Sequence, residues 1–424
     1  MSERSECVEI LHKIFEQKVF YSTLKSHITE KNISFCNMLV LSVLRNLTGL
    51  ENIIAKFVLK KIPQKNVILK YILLAAIAEI MLLKTPDYAV INEYVNIAKK
   101  KTDKFAANMV NAVLRKVSSK KKELQVIAKI PQNFYEILKK DYTQSEIESI
   151  KEACFCESPL DLSIKENHIY WAKQLNGTLF SNGTVRIFDA KSKVSELEGY
   201  KEGAWWVQDL AASLPVMLLG SVKDKKVLDL CAAPGGKTAQ LLVKGAKVTA
   251  VDIDVLRMEK LKQNIKRLNL EQNLETQIAD GLVFLQNNKD VFDIILLDAP
   301  CSATGTFRKH PEVLHLKTIQ DVKKQSDLQF EMLNEAIKSV KSGGLVLYCT
   351  CSISKIEGEY IIERIMKECS HIELVVPDLK EINIVDGKKL PEDIIDNGVL
   401  RTLPYHIKNF GGMDSFFAVC IKKK

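Results

Sequence analysis

The glycines of this 424-residue chain are placed so unevenly that they divide it before any motif is read. Gly49 is the sole glycine ahead of Gly177, and the other seventeen follow. Glycine supplies the positive-φ positions of tight turns, so a long stretch with only one favours helices joined by simple connections. The apolar pattern agrees. "VILKYILLAAIAEIMLL" (67–83) is apolar on nearly every face, as a central buried helix must be. "DYAVINEYVNIAKK" (87–100) follows Pro86, with Asp87 as its expected N-cap, and "KFAANMVNAVLRKV" (104–117) is amphipathic. An all-α bundle is expected over residues 1–125.

Beyond it, "SSKKKELQVIAKIP" (118–131) is polar and Lys-rich and reads as a connector. Residues 126–203 mix a helical "NFYEILKKDY" with the alternating pieces "PLDLSIK" and "TVRIFDA", which predicts a linker and a small α+β segment. From 204 to 424 the rhythm is strand, turn, helix. "KKVLDLC", "KVTAVDID", "FDIILLDAP" and "GGLVLYCT" each precede a helical pattern, and "MDSFFAVCIKK" (413–423) closes the chain as a strand. This alternation predicts an α/β domain with a parallel sheet covered on both faces, its ligands outside the carboxyl ends of the strands.

Charge follows the same division. The chain carries a net +9, yet residues 1–130 alone hold 22 Lys and Arg against 11 Asp and Glu. A basic module joined to a neutral one suggests an anionic partner, and solvated helix faces explain the charge equally well. No stretch reaches the ~18 apolar residues of a membrane span, and "MSERSECVEI" has no apolar leader, so no membrane association is expected. Ten cysteines form no C-x-x-C pair, and "CFC" and "CTC" are too tight for zinc. A reduced, cytoplasmic, metal-free monomer is expected.

"DLCAAPGGKT" (229–238) is a Gly-rich turn between a strand and a helix, hence a cofactor site. It lacks the P-loop spacing, because Cys231 stands where the first glycine belongs, and it lacks the G-x-G-x-x-G fingerprint. "IILLDAP" imitates a Walker B strand, which keeps a P-loop-type NTPase as an alternative. Asp252, Asp280 and Asp298 close successive strands, where acids bind ribose hydroxyls or cap helices. A ligand with ribose, adenine and a sulfonium suits such acids better than a triphosphate does, and S-adenosylmethionine is that ligand. The expected cofactor residues are Cys231, Ala232, Ala233, Pro234, Gly235, Gly236 and Lys237 of the loop, with Asp252, Asp280 and Asp298.

"DLCAAPGGKT", "VDID", "AD", "DAPCSATG", "RKHPE", "YCTCS" and "MDSFFAV" occur in the order seen in RNA (cytosine-5)-methyltransferases of the NOL/NOP/Sun type, and the chain resembles that family. "WVQDLAASL" (206–214) is similar to the start of its catalytic domain. The N-terminal bundle resembles a NusB-type RNA-binding domain. Together these imply a class I, Rossmann-like S-adenosylmethionine-dependent methyltransferase domain over 204–424, acting on small-subunit (16S) ribosomal RNA. Three departures stand out. Arg308-Lys309 replaces an Arg pair, Ser163 and Lys165 stand where the family carries Arg and Asn, and Cys349 occupies a position commonly held by alanine.

C5 of cytosine is too weak a nucleophile to take a methyl group unaided. A thiolate adding to C6 activates it, which is covalent catalysis by cysteine. The apolar run of "GLVLYCTCS" ends near Cys349, which puts that thiol inside the strand and core, while Cys351 and Cys301 emerge at the carboxyl edge of the sheet. Spacing alone does not rank these two. In DNA cytosine-5 methyltransferases the Pro-Cys thiol attacks, which would select Cys301. The NOL/NOP/Sun resemblance implies Cys351 as nucleophile, Cys301 as its helper in product release, and Asp298 as a catalytic partner on the cytosine edge. Arg308 and His310, on a loop after the catalytic strand, are candidates to hold RNA phosphates, with packing or capping the alternative for His310. Lys237 either contacts cofactor or target, or is a solvated first-turn lysine. A non-catalytic RNA-binding or assembly protein that keeps the fold is the remaining alternative. The target must be an unstacked cytosine in single-stranded or loop RNA.

Overall fold

The computed structural model describes residues 2–59, 62–188, 193–377 and 382–424. Its contacts form two units, one of residues 1–136 with 307–317 and one of 137–306 with 318–424. This grouping differs from the expected division at 125 and 203. The middle segment is not a unit of its own, and a short stretch of the catalytic region joins the helices.

Among its described residues up to 119, the first unit holds seven α-helices: α1 (Glu3–Glu16), α2 (Tyr21–Lys25), α3 (Ile33–Arg45), α4 (Leu47–Phe57), α5 (Ile68–Met81), α6 (Asp87–Lys101) and α7 (Lys104–Ser119). As its all-round apolar pattern requires, α5 is the central helix, and Tyr71 through Ile80 are all buried. Glu79 is within that run. A buried carboxylate is tolerable only when paired, and Arg4 Nη2 lies 2.5 Å from it while the Tyr94 hydroxyl donates at 3.1 Å. Asp87 does not cap α6. It is the helix's first residue, and its carboxylate accepts from Ser118 Oγ at 2.6 Å and Lys121 Nζ at 3.1 Å.

Residues 307–317 complete this unit. Phe307 is fully buried edge-on to Phe134, with centroids 5.6 Å apart. His315 Nε2 lies 2.8 Å from the Leu44 carbonyl, and Glu312 accepts from the Tyr21 N–H at 3.0 Å.

In the second unit β1 (Leu160–Ile164), β2 (Thr178–Leu179), β3 (Thr184–Ile187) and β4 (Trp205–Val207) form an antiparallel sheet in the order β2-β3-β1-β4. β4 lies beyond the expected boundary at 203. Of "TVRIFDA", the last two residues lie outside the described ones. Arg186 and Asp161 form a buried bidentate pair at 2.6 and 2.7 Å inside this sheet.

The large sheet contains β5 (Lys226–Leu230), β6 (Lys247–Asp252), β7 (Leu274–Ile278), β8 (Ile294–Asp298), β9 (Leu345–Thr350), β10 (Ile372–Val375), β11 (Ile395–Asp396), β12 (Val399–Thr402) and β13 (Phe416–Lys423). Its order is β11-β12-β13-β9-β8-β5-β6-β7, with β10 also on β13. The run β7-β6-β5-β8-β9 is parallel as expected, but β13 joins β9 antiparallel, so the sheet is mixed. Winding reverses between β5 and β8, which opens a crevice at their carboxyl ends. Strand residues alternate between two cores. Ile294, Leu296, Leu347 and Cys349 face one, and Ile295, Leu297, Val346 and Tyr348 the other. Among the described residues no single helix is long and apolar enough to cross a membrane.

Candidate active site

The loop after β5 is built from backbone positions that few residues tolerate. Cys231 has φ +57° and Gly235 φ +99°, and a Cβ at 235 would lie 2.8 Å from Leu261 Cγ. The Ala233 N–H donates to Asp252 Oδ2 at 3.0 Å, while the Asp254 N–H donates to Oδ1 at 2.9 Å. Asp252 at the end of β6 is therefore both a wall of the site and the anchor of the loop. A carboxylate has about four lone-pair sites, so both oxygens retain capacity for a ligand. Asp254, not Asp252, caps the helix Val255–Arg267. Asp280 caps Gly281–Asn287, accepting from the Leu282 and Val283 N–H groups at 2.9 and 3.1 Å.

Two cavities flank this loop. One, of about 580 Å³, is lined by Cys231, Asp252, Asp280, Leu282 and Met332. The other, of about 410 Å³, is lined by Ala232 through Lys237, Trp206, Gln208 and Phe416. Asp298 and Cys351 line both. Acids, apolar walls and a thiol in one lining fit ribose, adenine and a reacting sulfonium in the larger cavity. Three carboxylates there would repel a triphosphate.

The three thiols separate by their place relative to the strand ends, Cys349 within β9 and Cys351 and Cys301 beyond β9 and β8. Cys349 is fully buried, 3.5 Å from Asp298 Oδ1, and burial followed by that carboxylate pushes its thiol well above the ordinary range. Cys231 is pushed up to about 12, first by burial and then by Asp252 and Asp298. Cys301 and Cys351 lie 3.3 Å apart, sulfur to sulfur, across fifty residues of sequence. The hydrogen bond to Cys351, then burial, hold Cys301 well above the usual thiol range. Cys301 therefore stays a thiol, within hydrogen-bond reach of the Cys351 sulfur.

Lys237 is not solvated. It is 7% exposed, its Nζ sits 2.8 Å from Asp298 Oδ2, and it lies over the Phe416 ring at 4.6 Å. Burial is the largest single effect and opposes its charge, but Asp298 together with Cys349 and Cys351 reverses it and keeps the ammonium protonated. A lysine committed to a carboxylate does not cradle phosphates, which removes the P-loop alternative.

Residues 308–310 do not form an open phosphate loop. Arg308 is 1% exposed within the helical unit. His310 is half-buried, and burial with Lys309 and Lys25 pushes its imidazole down to about 4, so it is neutral at physiological pH. The basic appearance of "RKHP" conceals a packing segment. Ser163 and Lys165 are likewise engaged internally. Ser163 Oγ donates to Gln208 at 2.8 Å and so orients a wall of the smaller cavity, and Lys165 Nζ donates to the Leu268 carbonyl.

Glu357 is the residue that sequence reading missed. It is fully buried, and its Oε1 accepts from the Ser302 N–H at 2.8 Å and Gln329 Nε2 at 3.0 Å. Its Oε2 accepts from Ser352 Oγ at 2.5 Å and from Ser302 Oγ. Ser302 follows Cys301 and Ser352 follows Cys351, so one carboxylate ties the two thiol loops together. Its place in "KIEGE", after a strand, gave no sign of this beyond an acid among polar residues.

Comparison with known proteins agrees with this geometry. The family model described as 16S rRNA methyltransferase RsmB/F matches residues 216–422, and the NusB family model matches 1–119. Ribosomal RNA small subunit methyltransferase B of Photorhabdus laumondii is 32% identical over 397 residues, covering 88% of this chain and 91% of that protein. The protein of that name from Escherichia coli O127:H6 is 29% identical, with the same coverage. Among solved structures, PH0851 superposes with a TM-score of 0.77 at 20% identity, covering 100% of this chain and 99% of its own. NSun6 from Pyrococcus horikoshii, solved with SFG, gives 0.55 at 19% identity over 69% of this chain and 98% of its own. At such identities these structures speak for the fold.

Proposed function

The chain belongs to the RsmB/F family of 16S ribosomal RNA methyltransferases, and from that premise we propose that it methylates C5 of a cytosine through a Cys351–C6 adduct. It is an S-adenosylmethionine-dependent ribosomal RNA methyltransferase, working in the cytoplasm where its substrate is made. What carries the finer reading is the pair of thiols at 3.3 Å, with Cys351 and Asp298 where two cavities meet. The larger cavity would hold the cofactor on Asp252, Asp280 and the 231–237 loop. When bound, the cofactor supplies a methyl group on a sulfonium.

The Cys351 thiolate adds to C6, forming the S–C6 bond and moving the C5=C6 electron pair to C5. C5 takes the methyl group, its proton leaves to solvent, and the S–C6 bond breaks to return the thiolate. Asp298, held by Lys237, presents a carboxylate edge to the base's amino group. Cys301, kept protonated, donates a hydrogen bond to the departing Cys351 sulfur and lowers the cost of release. The helical unit, with its excess of Lys and Arg, supplies RNA affinity.

The test is a denaturing gel with labelled RNA and S-adenosylmethionine. Cys351→Ala should form no adduct and no product while cofactor binding persists. Cys301→Ala should accumulate the adduct, and Cys349→Ala should retain activity. Adduct lost in Cys301→Ala but kept in Cys351→Ala would reverse the roles.

A further inference from the structure

The helical hairpin α6–α7 buries one face and leaves the other as a groove of about 930 Å³. On α6 the groove face carries Tyr88, Asn92, Val95 and Lys99, spaced by four, three and four. On α7 it carries Asn108, Asn111 and Arg115, spaced by three and four. Each set is one stripe of a helix. Asparagine disfavours helix interiors, yet three of them line this stripe. Asn111 accepts from Arg115 Nε at 3.1 Å, while Asn92 and Asn108 have no side-chain partner among the described residues. The groove's one carboxylate, Asp87, is taken by Lys121 and Ser118. Lys99, Arg115 and Lys116 therefore give the groove an uncompensated positive charge. Tyr88 stands 81% exposed at one end, above a floor that includes Ile91 and Val95.

We propose that the α6–α7 groove binds single-stranded RNA flanking the target, with Tyr88 stacking on a base, the asparagine amides on base edges, and Lys99, Arg115 and Lys116 on phosphates. This rests on the reading of the chain as a ribosomal RNA methyltransferase. A cleft between two packed helices, whose axes lie roughly 8–10 Å apart, admits a strand and not an A-form duplex. Amides and an aromatic beside cations match the mixed chemistry of bases and phosphates, which an acidic peptide does not offer.

The experiment uses the full chain and fluorescein-labelled oligoribonucleotides, single-stranded and in a duplex, read by anisotropy across a salt series. The Lys99→Ala, Arg115→Ala double variant should flatten the slope of log affinity against log salt by about 1.4, from two phosphate contacts on a single strand. Tyr88→Ala should weaken single-strand binding roughly five- to one-hundred-fold at every salt concentration. Both variants lie on the surface, and circular dichroism checks their fold. Unchanged affinity in both overturns the proposal, and so does an equal loss for duplex. Polyglutamate binding that both substitutions abolish, with RNA binding intact, would assign the groove to an acidic protein and also overturn it. Methylation of a short saturating RNA is measured in parallel. Its absence in the unaltered chain would refute the activity while leaving the binding result to judge the groove.

Discussion

Replacing Glu357 should do more damage than its distance from either cavity suggests. In Glu357→Ala the hydroxyls of Ser302, Thr304 and Ser352 can re-pair among themselves, since they lie within 2.9 to 3.4 Å of one another. Gln329 keeps its bond to the Pro300 carbonyl at 2.8 Å. The Ser302 N–H has no such alternative and is left unsatisfied at a cost of about 1–3 kcal/mol. The vacated carboxymethyl volume adds about 1–2 kcal/mol as a cavity. The sum is roughly 2–5 kcal/mol. In Glu357→Gln the amide oxygen can still accept from Ser302 and Gln329, and the amide nitrogen can donate to the two hydroxyls. That variant loses only the charge-assisted increment, about 1–2 kcal/mol. Urea unfolding followed by a probe in the catalytic unit measures both. The chemistry supplies a second readout. Glu357 is one of the charges that hold Cys301 protonated, so Glu357→Gln should accelerate alkylation of Cys301 near pH 8. Equal stability of the two variants, or a Glu357→Ala chain within 1 kcal/mol of the parent, would refute the hub. Unchanged alkylation would refute the electrostatic link.

Asp229 offers a pH test. It is fully buried beneath the cofactor loop, bonded to Thr238 Oγ1 at 2.6 Å, and burial raises its carboxyl to about 7. The unfolded chain releases this proton near 4 and the folded chain near 7, so stability falls as pH rises through that window. Asp229→Asn removes the effect, and its advantage over the parent in urea unfolding should be larger at pH 8 than at pH 5, by at most roughly 3 kcal/mol. A gap independent of pH would show that the carboxyl ionises freely. Asp252→Ala should weaken S-adenosylmethionine binding at least about tenfold in calorimetry, because it removes the loop's charged anchor together with a ligand contact. Unchanged affinity would mean that the loop holds itself.

Local chemistry alone accounts for the types of element and their order along the chain. One glycine in the first 176 residues meant helices, and apolar strands alternating with helices meant a doubly covered sheet. The end of the apolar run put Cys349 inside the strand and Cys351, two residues on and of the same parity, past its carboxyl edge, because burial in a sheet depends on position along the strand as well as on the side faced. Motif order led to the cofactor loop and the strand-end acids. Which distant element arrives beside a residue is fixed by long-range packing and is not legible locally. Strand count says that Cys301 and Cys351 share an edge, but their 3.3 Å separation required β8 and β9 to be neighbours and their loops to be tied by Glu357. Lys237 reads as an exposed first-turn lysine until β13 brings Phe416 over it and β8 brings Asp298 against it. Arg308 and His310 read as a basic loop until residues 307–317 pack among helices from the other end of the chain. Burial of a charged side chain is set by its partners, and a partner sixty or two hundred residues away leaves no trace in the local pattern.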